Sequence, residues 1–360
     1  MLRQAKISRV LEEKYNVSIS YCQQAANRDG HNVLAKRAAS AVLGLSLALL
    51  CSTPAQCLSY AVFDVPGAEN SDAYAINANG AVTGPYTNTG SNVPHGYVRD
   101  ALGNITTFDV KGATSGTSPN SINDHGAVVG SYANVAGMHG FLRRPSGNTV
   151  SIDVPGSTST VATAIGKSGS IVGYYSDGAG THGFVRDPHG VLTLFDMSGA
   201  TSTTPYAISP NGSVSGAFID SKGTHGFVRD AQGMLTPFDA PNSALTWAFG
   251  INRSDTAAGY YRDRGGHFFG FVYAASTVTP FSVHNAVATY GQGINAKGSV
   301  TGYYAASGAI GGFIRSANGT IATFAAPGAS ATQPYAINAK GVVAGSCVDA
   351  GGHHAFVRTP

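Results

Sequence analysis

Histidine and aspartate recur in this chain at spacings that could serve metal ligation or proton transfer. A histidine heads the same short motif at His95, His139, His182, His225 and His354, and the motif reads HGFVRD without change at 182–187 and at 225–230. Metal ligation needs two or more such side chains converging on one ion at about 2.0–2.3 Å. Histidines placed once per module, on modules that radiate from an axis, stay apart. A structural hydrogen-bonding role, repeated as stacked-repeat folds repeat theirs, is therefore expected, with no metal and no cofactor. Asp64, Asp109, Asp153, Asp196 and Asp239 close one strand-like run, Asp100, Asp187 and Asp230 open DAxG or DPxG turns, and Asp177, Asp220, Asp263 and Asp349 recur in one loop. Asp commonly bonds backbone N–H groups two residues on, so these acids read as turn formers.

A catalytic site must be asymmetric, so departures from the repeated pattern carry more information than its consensus. Glu69 and Asp72 stand close in one loop and could meet the roughly 5–9.5 Å spacing of a glycosidase carboxylate pair, but a surface loop meets it equally by chance. There is no GxSxG nucleophile elbow, HExxH helix or phosphate-cradling loop, and no catalytic residue is assigned. Two segments differ from their counterparts: NSALTWAFGIN carries Trp247 and Phe249, and HNAVATYGQGIN carries His284, Tyr290 and Gln292. In the same region the repeat histidine is lost, with Phe269 in its place beside His267 and Phe268. Side chains alternate along a strand, so Trp247 should share a face with Phe249 and Tyr290 with Gln292. Trp247, Phe249, Tyr290, Gln292, His267 and Phe269 are thus the candidate ligand-binding residues. The other reading is that Trp247 and Tyr290 plug a channel or pack between sheets.

The elements that must hold these residues follow from a repeat. The aromatic of the HGFVRD motif falls at Tyr97, Phe141, Phe184, Phe227, Phe271, Phe313 and Phe356, in steps of 42 to 44 residues. Each copy reads as a short run such as AYAIN, a turn such as ANG, a GSVTGYY-like run, a loop, HGFVRD, a second turn and LTPFD. Four short β-prone runs separated by Gly, Asn and Asp predict one four-stranded antiparallel sheet per copy. That is the size of a propeller blade, so the fold expected is all-β: a seven-bladed β-propeller. The 47 glycines, against four Met and one Trp, fit many tight turns. A glycine recurs inside the second strand, from Gly84 to Gly345, and predicts close packing against a neighbouring sheet. The last copy stops at HAFVRTP, while SYAVFDV at 59–65 is a strand of the missing type. The amino-terminal strand is expected to join the last blade and close the ring, removing sheet edges.

The repeated GINxxGxVxGyY and HGFVRD pattern resembles the HAF-repeat family of extracellular bacterial repeat proteins, and His354, Ala355 and Phe356 spell the eponymous triplet. The resemblance spans residues 59 to 360. It implies an exported, propeller-like protein and supplies no catalytic residues.

Residues 1–55 read differently. Lys36 and Arg37 precede the apolar run Ala38 to Leu50, followed by CSTPAQ. This is the layout of a secretory signal, too short for a typical membrane span, with cleavage expected after Ala55. The mixed-charge stretch before Lys36 is either a genuine extension or the mark of a translation start near Val33 or Leu34. Of the 22 Lys and Arg and 19 Asp and Glu, seven and three fall in this segment, leaving residues 56–360 near neutrality. No basic patch remains to argue for nucleic acid. The remaining cysteines, Cys57 and Cys347, fall at opposite ends of a sheet with alternating strands, beyond the roughly 7 Å reach of a disulfide unless residues 56–58 fold back.

These observations predict a single domain over 56–360, secreted or periplasmic, monomeric and without an integral membrane segment. The function expected is that of a non-catalytic binding or interaction scaffold for a glycan, peptide or cell-surface partner. The alternative is a propeller enzyme, carbohydrate-active or lactonase-like, with its site at the ring mouth.

Overall fold

The computed structural model describes residues 58–360, of which Tyr60–Thr359 form one compact unit. The signal segment, its cleavage point and Cys57 lie outside the described residues. Every regular element described is a strand, β1 to β29 in chain order, joined by hydrogen bonds into one continuous sheet. Among the described residues no helix is long and apolar enough to cross a membrane.

The third copy of the repeat shows how the sequence makes its strands. β11 (Ser159–Ile165) pairs antiparallel with β12 (Ile171–Ser176), β12 with β13 (Thr181–Arg186), and β13 with β14 (Leu192–Phe195). One parallel contact, Thr181 opposite Ser202, passes the ladder on to β15 (Ser202–Ile208). The same order recurs along the chain. At its end β29 (Gly352–Thr359) pairs with β1 (Ser59–Phe63), and Asn70 of β2 (Ala68–Ser71) lies opposite His353.

The seven motif aromatics are all 0 % exposed and form the centre of the core. Six of them meet, edge-on, a phenylalanine of the strand preceding their own copy, among them Phe108 with Phe141 at 6.0 Å, Phe195 with Phe227 at 6.1 Å and Phe281 with Phe313 at 5.7 Å, whereas Phe184 packs in one core cluster with Ile152. Phe63 of β1 does the same for Tyr97 at 6.1 Å. Five of the motif arginines lay their guanidinium groups over those phenylalanines, Arg143 on Phe108 at 4.7 Å and Arg99 on Phe63 at 4.6 Å among them. Apolar stems and a weakly hydrated planar cation allow this half-buried placement.

Hydrogen bonds repeat with the same regularity. A buried Thr or Ser of each inner strand accepts the backbone N–H at the turn before it, as Thr160 does from Val154 (3.2 Å) and Ser71 from Val65 (3.1 Å). Asparagine side chains donate to the next copy's carbonyl, Asn252 to Asn295, Asn295 to Asn338 and, joining last to first, Asn338 to Asn77 at 3.0 Å. The repeat histidines are structural in geometry. His225 packs against the Phe218 ring in a tilted arrangement at 4.9 Å, with Nδ1 2.9 Å from Asp239 and Nε2 3.0 Å from Asp220. His182 and His354 are held by equivalent acids.

Candidate functional site

The site begins with a register slip. In each inner strand from the second copy onward, the pairing with the next strand skips one residue: Asn120, Thr163, Tyr206, Phe249, Gln292 and Tyr335 are the residues passed over. These are β-bulges, which turn a side chain out of the regular alternation. In the first copy the matching residue, Tyr74, sits in the break between β2 and β3 (Ala75–Ile76), its N–H bonded to Thr83. All seven side chains line one cavity of about 420 Å³, together with Val161 and Tyr174. The repeated glycine of the second strand makes the bulge possible. A Cβ on Gly302 would lie 2.0 Å from the Tyr290 carbonyl oxygen, and one on Gly173 would lie 2.0 Å from that of Val161. The close approach is therefore to the bulged strand of the same copy, not to a neighbouring sheet as the sequence predicts.

One wall of the cavity mouth is aromatic. Tyr260 stands among Trp247 (5.2 Å), Phe249 (5.2 Å, stacked), Tyr290 (5.0 Å, edge-on) and Phe268 (6.1 Å). Phe249 also stacks on Tyr206 at 4.7 Å. The structure thus brings Trp247, Phe249 and Tyr290 together, with Gln292 beside Phe249 in the cavity lining. It does not bring His267 or Phe269. His267 is 67 % exposed in a turn, 3.4 Å from Asp263, and Phe269 stacks on Tyr261 at 5.3 Å within the core. Strand alternation explains the difference: Phe269 inherits the inward face of the repeat histidine, so its neighbour Phe268 faces the mouth. His284 is exposed beyond β22 (Thr277–Phe281).

Another stretch of the rim, where the first and last copies meet, is acidic and basic. Asp72 replaces the Ser118, Val161, Thr204, Trp247, Tyr290 and Gln333 of the other copies, and His353 replaces Pro94, Met138, Thr181, Thr224, Phe268 and Ile310. His353 Nε2 lies 3.0 Å from Asp72 Oδ1, buried and off the line of a directed hydrogen bond. Ser346 Oγ donates to the same carboxylate oxygen at 2.6 Å. The Asp72 backbone is fixed by Pro85 through its N–H (3.0 Å) and by the Tyr97 hydroxyl, which donates to its carbonyl at 2.8 Å. The close contact with the Asp72 carboxylate raises the His353 pKa against burial, which acts the other way. Tyr335 lies beside Ser346 and meets Tyr74 edge-on at 5.5 Å. Burial, followed by the charge of Asp72, pushes the Tyr74 phenol up. Glu69 takes no part; it accepts the Gly90 N–H in an exposed hairpin. Among the described residues no three metal-ligating side chains converge.

An all-β propeller fold with an axial aromatic cup and one acid–base cluster on its rim is the class these features define. No family model and no curated protein sequence matches the chain. Among solved structures it is similar to virginiamycin B lyase from Staphylococcus aureus, a catalytically inactive histidine-to-alanine variant seen with quinupristin. The TM-score is 0.58 at 14 % identity, over 84 % of this chain and 99 % of that one. It is also similar to a streptogramin B lyase (TM-score 0.56, 14 % identity, 84 % and 98 % covered). A third is oligogalacturonate lyase from Vibrio parahaemolyticus (TM-score 0.57, 9 % identity, 84 % and 97 % covered). These likenesses are of fold. The three are lyases, which turns the expectation of a non-catalytic scaffold toward its alternative, a propeller enzyme, and a nonrepeated acid and base stand together on the cup's rim.

Proposed function

We propose that the protein is a propeller enzyme, carbohydrate-active or lactonase-like, whose site is the rim of the cup, with Asp72 and His353 as its acid–base pair. The observation that carries this reading is the Asp72–His353–Ser346 cluster, present at one of seven equivalent positions. A His353 pKa held above the ordinary value keeps the imidazolium available near neutrality as a proton donor to a leaving oxygen. Once deprotonated, it accepts a proton from an attacking water or an acidified C–H group. Asp72, anchored by Ser346 and Tyr97, sets the ring's position and balances its charge. The inactive histidine variant among the similar lyases supports looking to a histidine first.

The architecture belonging to this proposal has seven blades of four antiparallel strands, closed by β1 in the last blade. The β1–β29 pairing, the Phe63–Tyr97 contact and the Asn338–Asn77 bond support it. Membership of the HAF-repeat family and export after removal of residues 1–55 belong to the same proposal. The test is turnover of a panel of lactones, esters and glycosides by the wild type, Asp72→Asn and His353→Gln. Loss of roughly 10²–10⁴-fold in both variants is expected. Unchanged turnover in either variant, with the fold intact, would refute the assignment.

A further inference from the structure

The cup has a composition that selects its occupant. Its lining contains no Lys, Arg, Asp or Glu. Going round the copies in order, aromatic pairs alternate with polar residues: Tyr335 and Tyr74, then Asn120 and Thr163, then Tyr206 and Phe249, then Gln292. Two aromatic surfaces therefore stand on opposite sides, with amide and hydroxyl groups between them. Burial keeps the phenols neutral, that of Tyr206 pushed up to about 12, so they present O–H donors and no charge. Thr163 Oγ1 donates to Pro205 O at 3.0 Å and Asn120 Nδ2 to Ala162 O at 3.0 Å, leaving the hydroxyl and amide oxygens as acceptors. The Gln292 carboxamide has no partner among the described residues.

The cup and the ring of repeat isoleucines are separate concavities. Two residues beyond each bulge an isoleucine, from Ile76 to Ile337, lines a separate concavity of about 220 Å³ that shares no residue with the cup. A volume of about 420 Å³ lies within the range of small-molecule sites.

We infer that the cup binds an uncharged sugar ring, its C–H face against the aromatic pairs and its hydroxyls met by Asn120, Thr163 and Gln292. A uronate ring is excluded, because its carboxylate would meet no cation in the cup, and the His353 imidazolium at the rim is already balanced by Asp72, so desolvation would go uncompensated. As the identity of the substrate, this inference rests on the enzyme reading above. As a binding site, it stands apart from that reading.

The experiment uses the Asp72→Asn protein, so that binding is read without turnover. Calorimetric titration compares neutral hexose monosaccharides and disaccharides with the corresponding uronic acids. Neutral sugars are expected to bind at least tenfold more tightly than their uronates. Phe249→Ala should weaken neutral binding at least tenfold, and Gln292→Lys should narrow or reverse the preference against uronates. Equal or tighter uronate binding to Asp72→Asn, no binding by any neutral sugar, or neutral binding indifferent to both cup substitutions overturns the inference. Because Asp72→Asn removes a negative charge, the uronate comparison is repeated with His353→Gln, where the same preference is expected and its absence again counts against the inference. Sugar binding that persists while turnover proves independent of Asp72 and His353 would sink the enzyme reading and leave the cup assignment standing.

Discussion

Replacing Gly302 by alanine tests whether the cup depends on the close approach of a bulged strand to a bare backbone. The new Cβ would lie 2.0 Å from the Tyr290 carbonyl oxygen, 3.0 Å from its carbon and 3.1 Å from Gly291 Cα. All three are backbone atoms, so no side chain can swing aside. Ordinary contact begins near 3.4 Å, so the inner strand must retreat by about 1.4 Å. Tyr290 and Gln292 flank the point that moves. Overpacking of this kind costs about 1–3 kcal/mol, which for a domain of this size lowers Tm by about 2–6 °C. The control is Gly178→Ala, where nothing lies within 4 Å and alanine should be neutral or slightly stabilising. Thermal unfolding reads the stability. The protein's single tryptophan reads the site, because Trp247 and Tyr290 both pack on Tyr260. Its emission should shift in Gly302→Ala and stay put in Gly178→Ala. Equal Tm values and equal spectra for the two variants would refute the reasoning.

The repeated His–Asp contacts make stability depend on pH. For His182, His225 and His354 burial is the largest influence and lowers the pKa, but bonds to the acids on both sides outweigh it and raise the pKa overall. Their contribution is therefore complete below the ordinary histidine pKa and is lost as pH rises through the raised value. Asp177, Asp220 and Asp349 are held low, chiefly by backbone N–H groups and also by these histidines, so their contribution is lost as pH falls below the ordinary carboxylate range. Thermal scans should show Tm falling from pH 6 to 9, and His225→Phe, which copies Phe269, should shallow that slope; an identical slope would count against the assignment. A chain beginning at Gly67 loses Phe63, Tyr60 and the Asp64 partner of His354 and should melt on the order of 5 °C lower or more, whereas an unchanged Tm would contradict closure by β1. Burial, followed by the charges of Asp349 and Asp64, pushes the Cys347 thiol up to about 12. Under reducing conditions it should resist iodoacetamide at pH 8 until the protein is unfolded, as read by mass spectrometry.

The repeat was legible because its punctuation is covalent: glycine, asparagine and aromatic positions recur at fixed steps and each has a local steric meaning. The strand pairs, the buried aromatics and the role of β1 as partner to β29 follow that pattern. The bulge was not legible, because it is a mismatch in count between two strands and neither strand shows it by itself. A trace existed nonetheless. Two positions before each repeat isoleucine the residues are Tyr74, Asn120, Thr163, Tyr206, Phe249, Gln292 and Tyr335, a varied set between invariantly small or apolar neighbours. Positions that vary within a strict repeat are those the repeat does not need for packing. Phe249 and Gln292 were found by their aromatic and polar character, and their five counterparts were missed. His353 was hidden beside the repeat histidine His354, and Asp72 looked like a loop acid because its partner Ser346 lies 274 residues away.

The acid–base cluster falls at the junction of the first and last copies, and a second departure from the repeat falls with it. Tyr97 is the one hydroxylated member of the seven buried motif aromatics. A phenol at 0 % exposure needs a hydrogen-bond partner, and the partner here is the Asp72 carbonyl at 2.8 Å. Packing does not explain the tyrosine, since phenylalanine fills the same place in six other copies. What the hydroxyl adds is a third fixed point on a residue already held by Pro85 and Ser346. Holding a carboxylate beside a histidine to within a fraction of an ångström is a requirement of proton transfer and not of folding. The junction also differs from every other in being formed by chain segments distant in sequence, so its two sides were free to diverge without disturbing the packing within either copy. An acid from one end of the chain and a base from the other can thus meet on the rim of a cup that the other six junctions leave uncharged.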